Sequence, residues 1–177
     1  MADHLDAREP VAFNAMPDDV AAAALSACCA STAWVRAVLA GRPYASAAQL
    51  FRAADTALAA LNEDDIDEAL AAHPRIGAAG DDGAETGTEK TARSRREQAG
   101  VHDAADQTRE ALIVGNRAYE ERFGHVYLVR ATGRSADELL AILHRRLSND
   151  PGTERAVVRA ELGEINRIRL REWLADT

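Results

Sequence analysis

Aromatic side chains are scarce in this sequence: two Trp, three Tyr and three Phe among 177 residues. β-Branched residues are thin everywhere except around residues 126–132. Ala is abundant, while Gly and Pro are few, and that balance disfavours sheet and favours helix. Cysteine is nearly absent. The two that occur, Cys28 and Cys29, are neighbours, and helical geometry points adjacent side chains about 100° apart. Bridging is therefore disfavoured, and both read as small apolar thiols on or beside a core face. Basic charge is in deficit. A net charge of −8 argues against a general nucleic-acid binder, which would carry a basic face. No apolar run approaches the length of a membrane span. The first residues lack the basic-then-apolar order of a secretory signal, and Ala175-Asp176-Thr177 is no targeting tail. The expectation is a cytoplasmic chain with no nucleic-acid or membrane partner.

What is present is a run of amphipathic segments with clear punctuation. The length fits one domain with a proper core. Pro17 followed by Asp18-Asp19 predicts a helix start, with acids at the positive end of the dipole and a run to about Ala30. Ser31 or Thr32 opens a second helix that Gly41-Arg42-Pro43 ends. Ser46-x-x-Gln49 is a capping-box pattern before Leu50, Ala54, Leu58 and Leu61 at helical spacing. A fourth helix spans Asn62 to Ala72 and stops at His73, because Pro74 disfavours helical geometry before it. Residues 77–93 alternate Gly with Asp and Glu and have little to bury, so they read as a flexible loop. A long helical stretch follows from Ser94 to Arg122, with Gly100 as its weak point, and Gly124 stops it. His125 to Thr132 is the one extended run. Ser135-x-x-Glu138 caps a helix to about Leu147, Asn149-Asp150-Pro151-Gly152 reads as a turn, and a last helix runs from Thr153 to about Leu174. The sum is an all-α, single-domain bundle of about eight or nine helices with one short extended segment, spanning residues 1–177.

Three positions carry candidate chemistry. His73 sits at a helix C-terminus in a non-helical conformation, where the dipole favours the protonated ring; a general acid or base and a water-exposed cap are both open. Glu97 lies in Ser94-x-x-Glu97, itself a capping box, yet Arg93, Arg95, Arg96 and Gln98 crowd the same turn. The free N–H groups of that helix start also suit an anionic ligand. Arg169 interrupts an apolar stripe of Val158, Leu162, Ile165 and Trp173, so its guanidinium either snorkels, pairs with a structural carboxylate or grips a planar anion. His4, His102, His125 and His144 read as surface or packing residues. The run Tyr127–Thr132 offers backbone N–H and C=O groups to a small polar ligand, or is an ordinary connector. No P-loop, G-x-G-x-x-G, G-x-S-x-G or C-x-x-C pattern occurs. His73 and Glu97 alone are too few for a closed metal site.

The ordered set of motifs resembles the 2-oxo-4-hydroxy-4-carboxy-5-ureidoimidazoline decarboxylases, which complete the route from urate to (S)-allantoin. The resemblance runs nearly end to end. It includes Phe13-Asn14, Cys28-Cys29 with Trp34, Arg42-Pro43-Tyr44, His73-Pro74-Arg75-Ile76-Gly77 and Ser94-x-x-Glu97-Gln98-Ala99-Gly100. It continues through Asn116-x-x-Tyr119, Arg122-Phe123-Gly124, Ala131-Thr132-Gly133-Arg134-Ser135, Arg146-Leu147-Ser148-Asn149, Glu154-x-Ala156 and Arg169-Leu170. The resemblance implies an all-helical, cofactor-free carboxy-lyase, a homodimer, acting on a small ureide and linked in function to a hydroxyisourate hydrolase. It implies His73 as the catalytic acid or base; an imidazole and the Glu97 carboxylate brought together from two helix ends could do acid–base chemistry. It implies substrate binding by Pro74, Ser94, Arg95, Arg96, Glu97, Gln98, the segment Tyr127, Leu128, Val129, Arg130 and Ala131, and Arg169. The stripe and the resemblance select the same arginine independently. Two departures stand out: the 77–93 loop is longer and more acidic than is typical, and Arg130 replaces a small residue. Strand alternation puts Arg130 opposite Val129 and Ala131, which favours a solvated side chain. The alternatives are a helical interaction module without an active site, or a lyase or hydrolase of the same fold acting on another ureide.

Overall fold

A computed structural model of the chain describes residues 10–77, 96 and 106–176. Among them are eight helices: α1 Val11–Ala15, α2 Asp18–Cys28, α3 Thr32–Ala40, α4 Ala47–Ala59, α5 Glu63–Ala71, α6 Asp106–Phe123, α7 Ala136–Arg146 and α8 Pro151–Asp176. No β-strand occurs among the described residues. The all-α expectation holds. The described residues fall into two compact units, one reaching Ala69 and resuming at Gly163, the other within Leu70–Leu162.

In the first unit the caps are where the sequence puts them. The Ser31 side chain accepts from the Trp34 N–H, and the Ser46 side chain from the Gln49 N–H. The Gln49 side chain reaches back one residue further than a standard box, to the Ala45 N–H at 2.7 Å. Asn62 and Asp65 exchange side-chain-to-backbone bonds of 2.9 and 3.1 Å and so open α5. Cys29 leaves α2 in extended backbone (φ −142°), two residues before the expected end. α1 was not expected; it is five residues long, and the Pro10 position before it makes no side-chain cap. Its Phe13 is fully buried and meets Trp173 edge-on at 5.3 Å. Trp34 is also fully buried, and its indole N–H donates to the Ala54 carbonyl at 2.9 Å. Cys28 and Cys29 are both buried and unbridged.

The second unit is built on α6 packed against α7. Gly115 lets them approach closely: a Cβ there would stand 2.6 Å from Leu143 Cδ2. The core joins Ile76, Leu112, Tyr119, Tyr127, Val129, Ala131, Ala136, Leu139 and Leu143. α7 opens with a complete capping box between Ser135 and Glu138. α8 begins two residues before the expected Thr153. Pro151 is its first residue rather than part of a turn, and Asp150 accepts from the Thr153 N–H (3.0 Å) and hydroxyl (2.6 Å). A proline suits the first helical position, where its missing N–H has no partner to lose.

The segment between α6 and α7 is extended and unpaired with any strand among the described residues. Gly124 and Gly133 bracket it with φ of +77° and +78°, in the region L side chains avoid. Alternate residues Tyr127, Val129 and Ala131 enter the core. Arg130, between them, is partly exposed.

Candidate active site

α5 ends at Ala71, and the His73 N–H closes the turn onto the Leu70 carbonyl at 2.9 Å. His73 is 8% exposed, so it is not a water-exposed cap. Two of the residues after it, Arg75 and Ile76, are fastened to α6. The Arg75 guanidinium grips Glu120 through two bonds, 2.7 and 2.9 Å. The Ile76 carbonyl accepts from Asn116 Nδ2 at 2.6 Å, and the Ile76 side chain enters the core. Gly77 then turns away at φ +79°. Pro74 is exposed.

A buried ionic cluster holds the extended segment. Glu154, fully buried near the start of α8, accepts from Arg146 Nε at 2.7 Å and Nη2 at 2.6 Å, from Asn149 at 2.8 Å and from the Tyr119 hydroxyl. Arg146 Nη1 donates to the Leu128 carbonyl at 2.7 Å, and the guanidinium lies over the Tyr127 ring at 5.0 Å. Burial, then the bond to Glu154, holds the Tyr119 phenol well above its ordinary range. Burial does the same to Tyr127. At the other end of the segment the Arg130 N–H donates to Glu161 at 2.6 Å. Between these anchors, Val129 N–H and C=O have no hydrogen-bond partner among the described residues. That pair is where a ligand's donor and acceptor would find complements.

In the first unit Arg169 is partly buried on α8, with Nη1 3.5 Å from the Cys28 carbonyl. Burial raises the Cys29 thiol, opposed by the Ser31 backbone, the Asn166 side chain and the Arg169 charge. Ser94, Arg95, Glu97 and Gln98 lie outside the described residues, as do 78–93 of the Gly/acid loop, His4 and His102. Arg96 is helical and exposed. His125 packs on Tyr119 and Phe123, and His144 is exposed. No set of three His, Cys, Asp or Glu able to hold a metal occurs among the described residues.

A family profile described as OHCU decarboxylase matches residues 14–171. The chain belongs to the OHCU decarboxylase family. It is 30% identical over 138 residues to the 2-oxo-4-hydroxy-4-carboxy-5-ureidoimidazoline decarboxylase of Amia calva, covering 77% of each chain. It is 26% identical over 149 residues to the uric acid degradation bifunctional protein TTL of Arabidopsis thaliana, covering 84% of this chain but 46% of that one. A bifunctional uric acid degradation protein of Bacillus sp. (strain TB-90) is 25% identical over 133 residues, a quarter of its own length. The chain thus spans less than half of the bifunctional relatives. Its fold is that of an OHCU decarboxylase crystallised in the presence of (S)-allantoin, with TM-score 0.74 and 20% identity, covering 90% of this chain and 99% of that one. An (S)-allantoin synthase structure follows at TM-score 0.68 and 18% identity, over 94% of this chain and 54% of the other.

Within this OHCU decarboxylase-family chain, sequence reasoning named His73 and the extended segment but gave no role to what holds them. Asn116, Glu120, Arg146 and Glu154 are the holders. All four stand in or beside the motifs that carry the resemblance, yet on single helices they read as ordinary polar positions. Burial, a property of packing, separates Asn116, Arg146 and Glu154 from such positions, while Glu120 is partly exposed and is marked by its two bonds to Arg75.

Proposed function

We propose that this chain converts 2-oxo-4-hydroxy-4-carboxy-5-ureidoimidazoline to (S)-allantoin in urate degradation. The observation that carries this reading is the family match across residues 14–171; a buried His73 in a pinned turn is consistent with it. In the reaction the bond to the carboxylate carbon breaks and CO2 leaves. The electron pair passes into the ring as an enediolate-like intermediate. His73 takes the substrate hydroxyl proton and returns a proton to ring carbon on one face. Glu97 holds the imidazole in one tautomer, as a carboxylate does for other catalytic histidines.

Arg169, Ser94, Arg95, Arg96, Gln98 and Pro74 bind the ureido and hydantoin edges, and the Tyr127–Ala131 backbone supplies a donor and an acceptor at Val129. The chemistry proceeds without a cofactor, in one decarboxylase-like domain that works in the cytoplasm as a homodimer. Two relatives named as bifunctional in uric acid degradation support a functional link to a neighbouring step, which we assign to a hydroxyisourate hydrolase.

The test is incubation with freshly generated substrate, read as the circular dichroism of (S)-allantoin. Wild type gives the signal faster than the spontaneous reaction. His73→Ala and His73→Asn lose turnover by about 10²–10⁴-fold while keeping the helical far-ultraviolet spectrum. Near-normal rates in either variant remove His73 from the mechanism. A wild-type chain inert toward the substrate leaves the interaction-module reading, and activity confined to allantoin or hydroxyisourate leaves the other ureide.

A further inference from the structure

Asn116 and Glu120 lie one turn apart on α6 and take hold of consecutive residues, Ile76 and Arg75, directly after His73-Pro74. We infer that Asn116 and Glu120 are positioning residues for His73, clamping the turn that presents its imidazole; this rests on the decarboxylase reading.

The geometry of the turn makes a clamp effective. Its first end is fixed where the His73 N–H meets the Leu70 carbonyl. The proline ring locks φ at Pro74 and narrows the backbone choices of His73. The remaining soft dihedrals lie between Pro74 and Ile76. The bidentate grip of Glu120 on Arg75 and the short bond from Asn116 to the Ile76 carbonyl restrain that stretch from both sides. The second end is the Ile76 side chain, 4% exposed in the core.

Asn116 carries a further mark of this role. It is 3% exposed, yet its Oδ1 has no hydrogen-bond partner among the described residues. A buried amide with one acceptor unmet is a poor choice for packing alone, where an apolar side chain of similar size would avoid the desolvation cost. Its Nδ2, by contrast, donates to the one carbonyl that fixes the turn. A misplacement of about 1 Å at a reacting group costs roughly 10²-fold in rate, so a restraint of this kind acts on turnover more than on substrate affinity.

The experiment compares Asn116→Ala, Glu120→Ala and Glu120→Gln with wild type and His73→Ala. Steady-state turnover, thermal melts and the ¹H–¹⁵N signals of the His73 ring are measured together. Asn116→Ala is expected to lower kcat roughly 10²-fold with KM changed less than about threefold. Glu120→Ala loses about tenfold, and Glu120→Gln regains most of it because the amide oxygen still accepts from Arg75. The His73 ring signals broaden or multiply in Asn116→Ala. Unchanged kcat and unchanged ring signals in Asn116→Ala, beside an active wild type and a dead His73→Ala, overturn the clamp alone. A fall in kcat that follows loss of melting temperature equally across all three variants, with no rescue by Gln, also overturns it, leaving a structural role. An inert wild type overturns the decarboxylase reading and with it any catalytic meaning of the clamp.

Discussion

Replacing Arg146 with Met asks how much the buried ionic cluster contributes. The substitution keeps the length and apolar stem of the side chain and removes the guanidinium. Glu154, fully buried, loses two of its four contacts and keeps only Asn149 and the Tyr119 hydroxyl. The Leu128 carbonyl loses its donor, and the Tyr127 ring its cation. Removing one partner of a buried pair costs about 3–5 kcal/mol, because the other charge stays behind without compensation. An exposed pair such as Arg75–Glu120, with the arginine side chain 48% exposed, contributes at most about 1 kcal/mol to stability. For a chain of this length the buried loss corresponds to a melting temperature lower by roughly 6–20 °C. The double variant Arg146→Met/Glu154→Leu removes both charges and is expected to cost no more than the worse single change, a coupling of at least about 2 kcal/mol. Urea unfolding followed at 222 nm measures all four species of the cycle. Single variants each within about 1 kcal/mol of wild type, with an additive double, would refute the claim that the cluster is an electrostatically closed unit.

Three other outcomes follow from the packing and hydrogen bonds of the same unit. Tyr119 and Tyr127 phenols are raised in the folded chain, while unfolded tyrosine ionises near 10; their contribution is therefore complete below about pH 10 and declines as pH rises toward the folded values. The urea midpoint should fall between pH 9 and 11, and fall less in Tyr119→Phe; a flat or rising midpoint contradicts the assignment. Gly115→Ala places a methyl against the fully buried Leu143, so overpacking of about 1–3 kcal/mol should outweigh the helix gain of about 1 kcal/mol; a more stable variant would show that α6 and α7 can move apart freely. Ser135→Ala removes half of a complete capping box and should destabilise α7 by about 1 kcal/mol, read by thermal melting.

Local signals were legible wherever a side chain satisfies its own helix end. Ser31, Ser46 and Ser135 each cap the helix they announce, because an N-cap bond needs only residues three apart. Pro151 was misread as a turn residue because proline suits both a turn and a first helical position, and Asp150 rather than the proline decides between them. α1 escaped notice because five residues without a side-chain cap leave no periodic trace. His73 was legible from Pro74. Its burial was not, since the residues that pin the turn after it, Asn116 and Glu120, bond Ile76 and Arg75 across 40 and 45 residues of sequence. The family resemblance supplied what local reading could not, by fixing the order of motifs whose contacts are long-range.

The two left-handed glycines at 124 and 133 make the stretch between them a counted length. Between the core entries at 129 and 131 stands the partly exposed Arg130, so losing or gaining one residue there would swing its guanidinium into a slot vacated by Val129 or Ala131. Apolar side chains of similar volume can replace one another along this stretch at small cost, but its number of residues cannot drift by one. Natural variation and engineered loops should therefore conserve spacing here more strictly than identity.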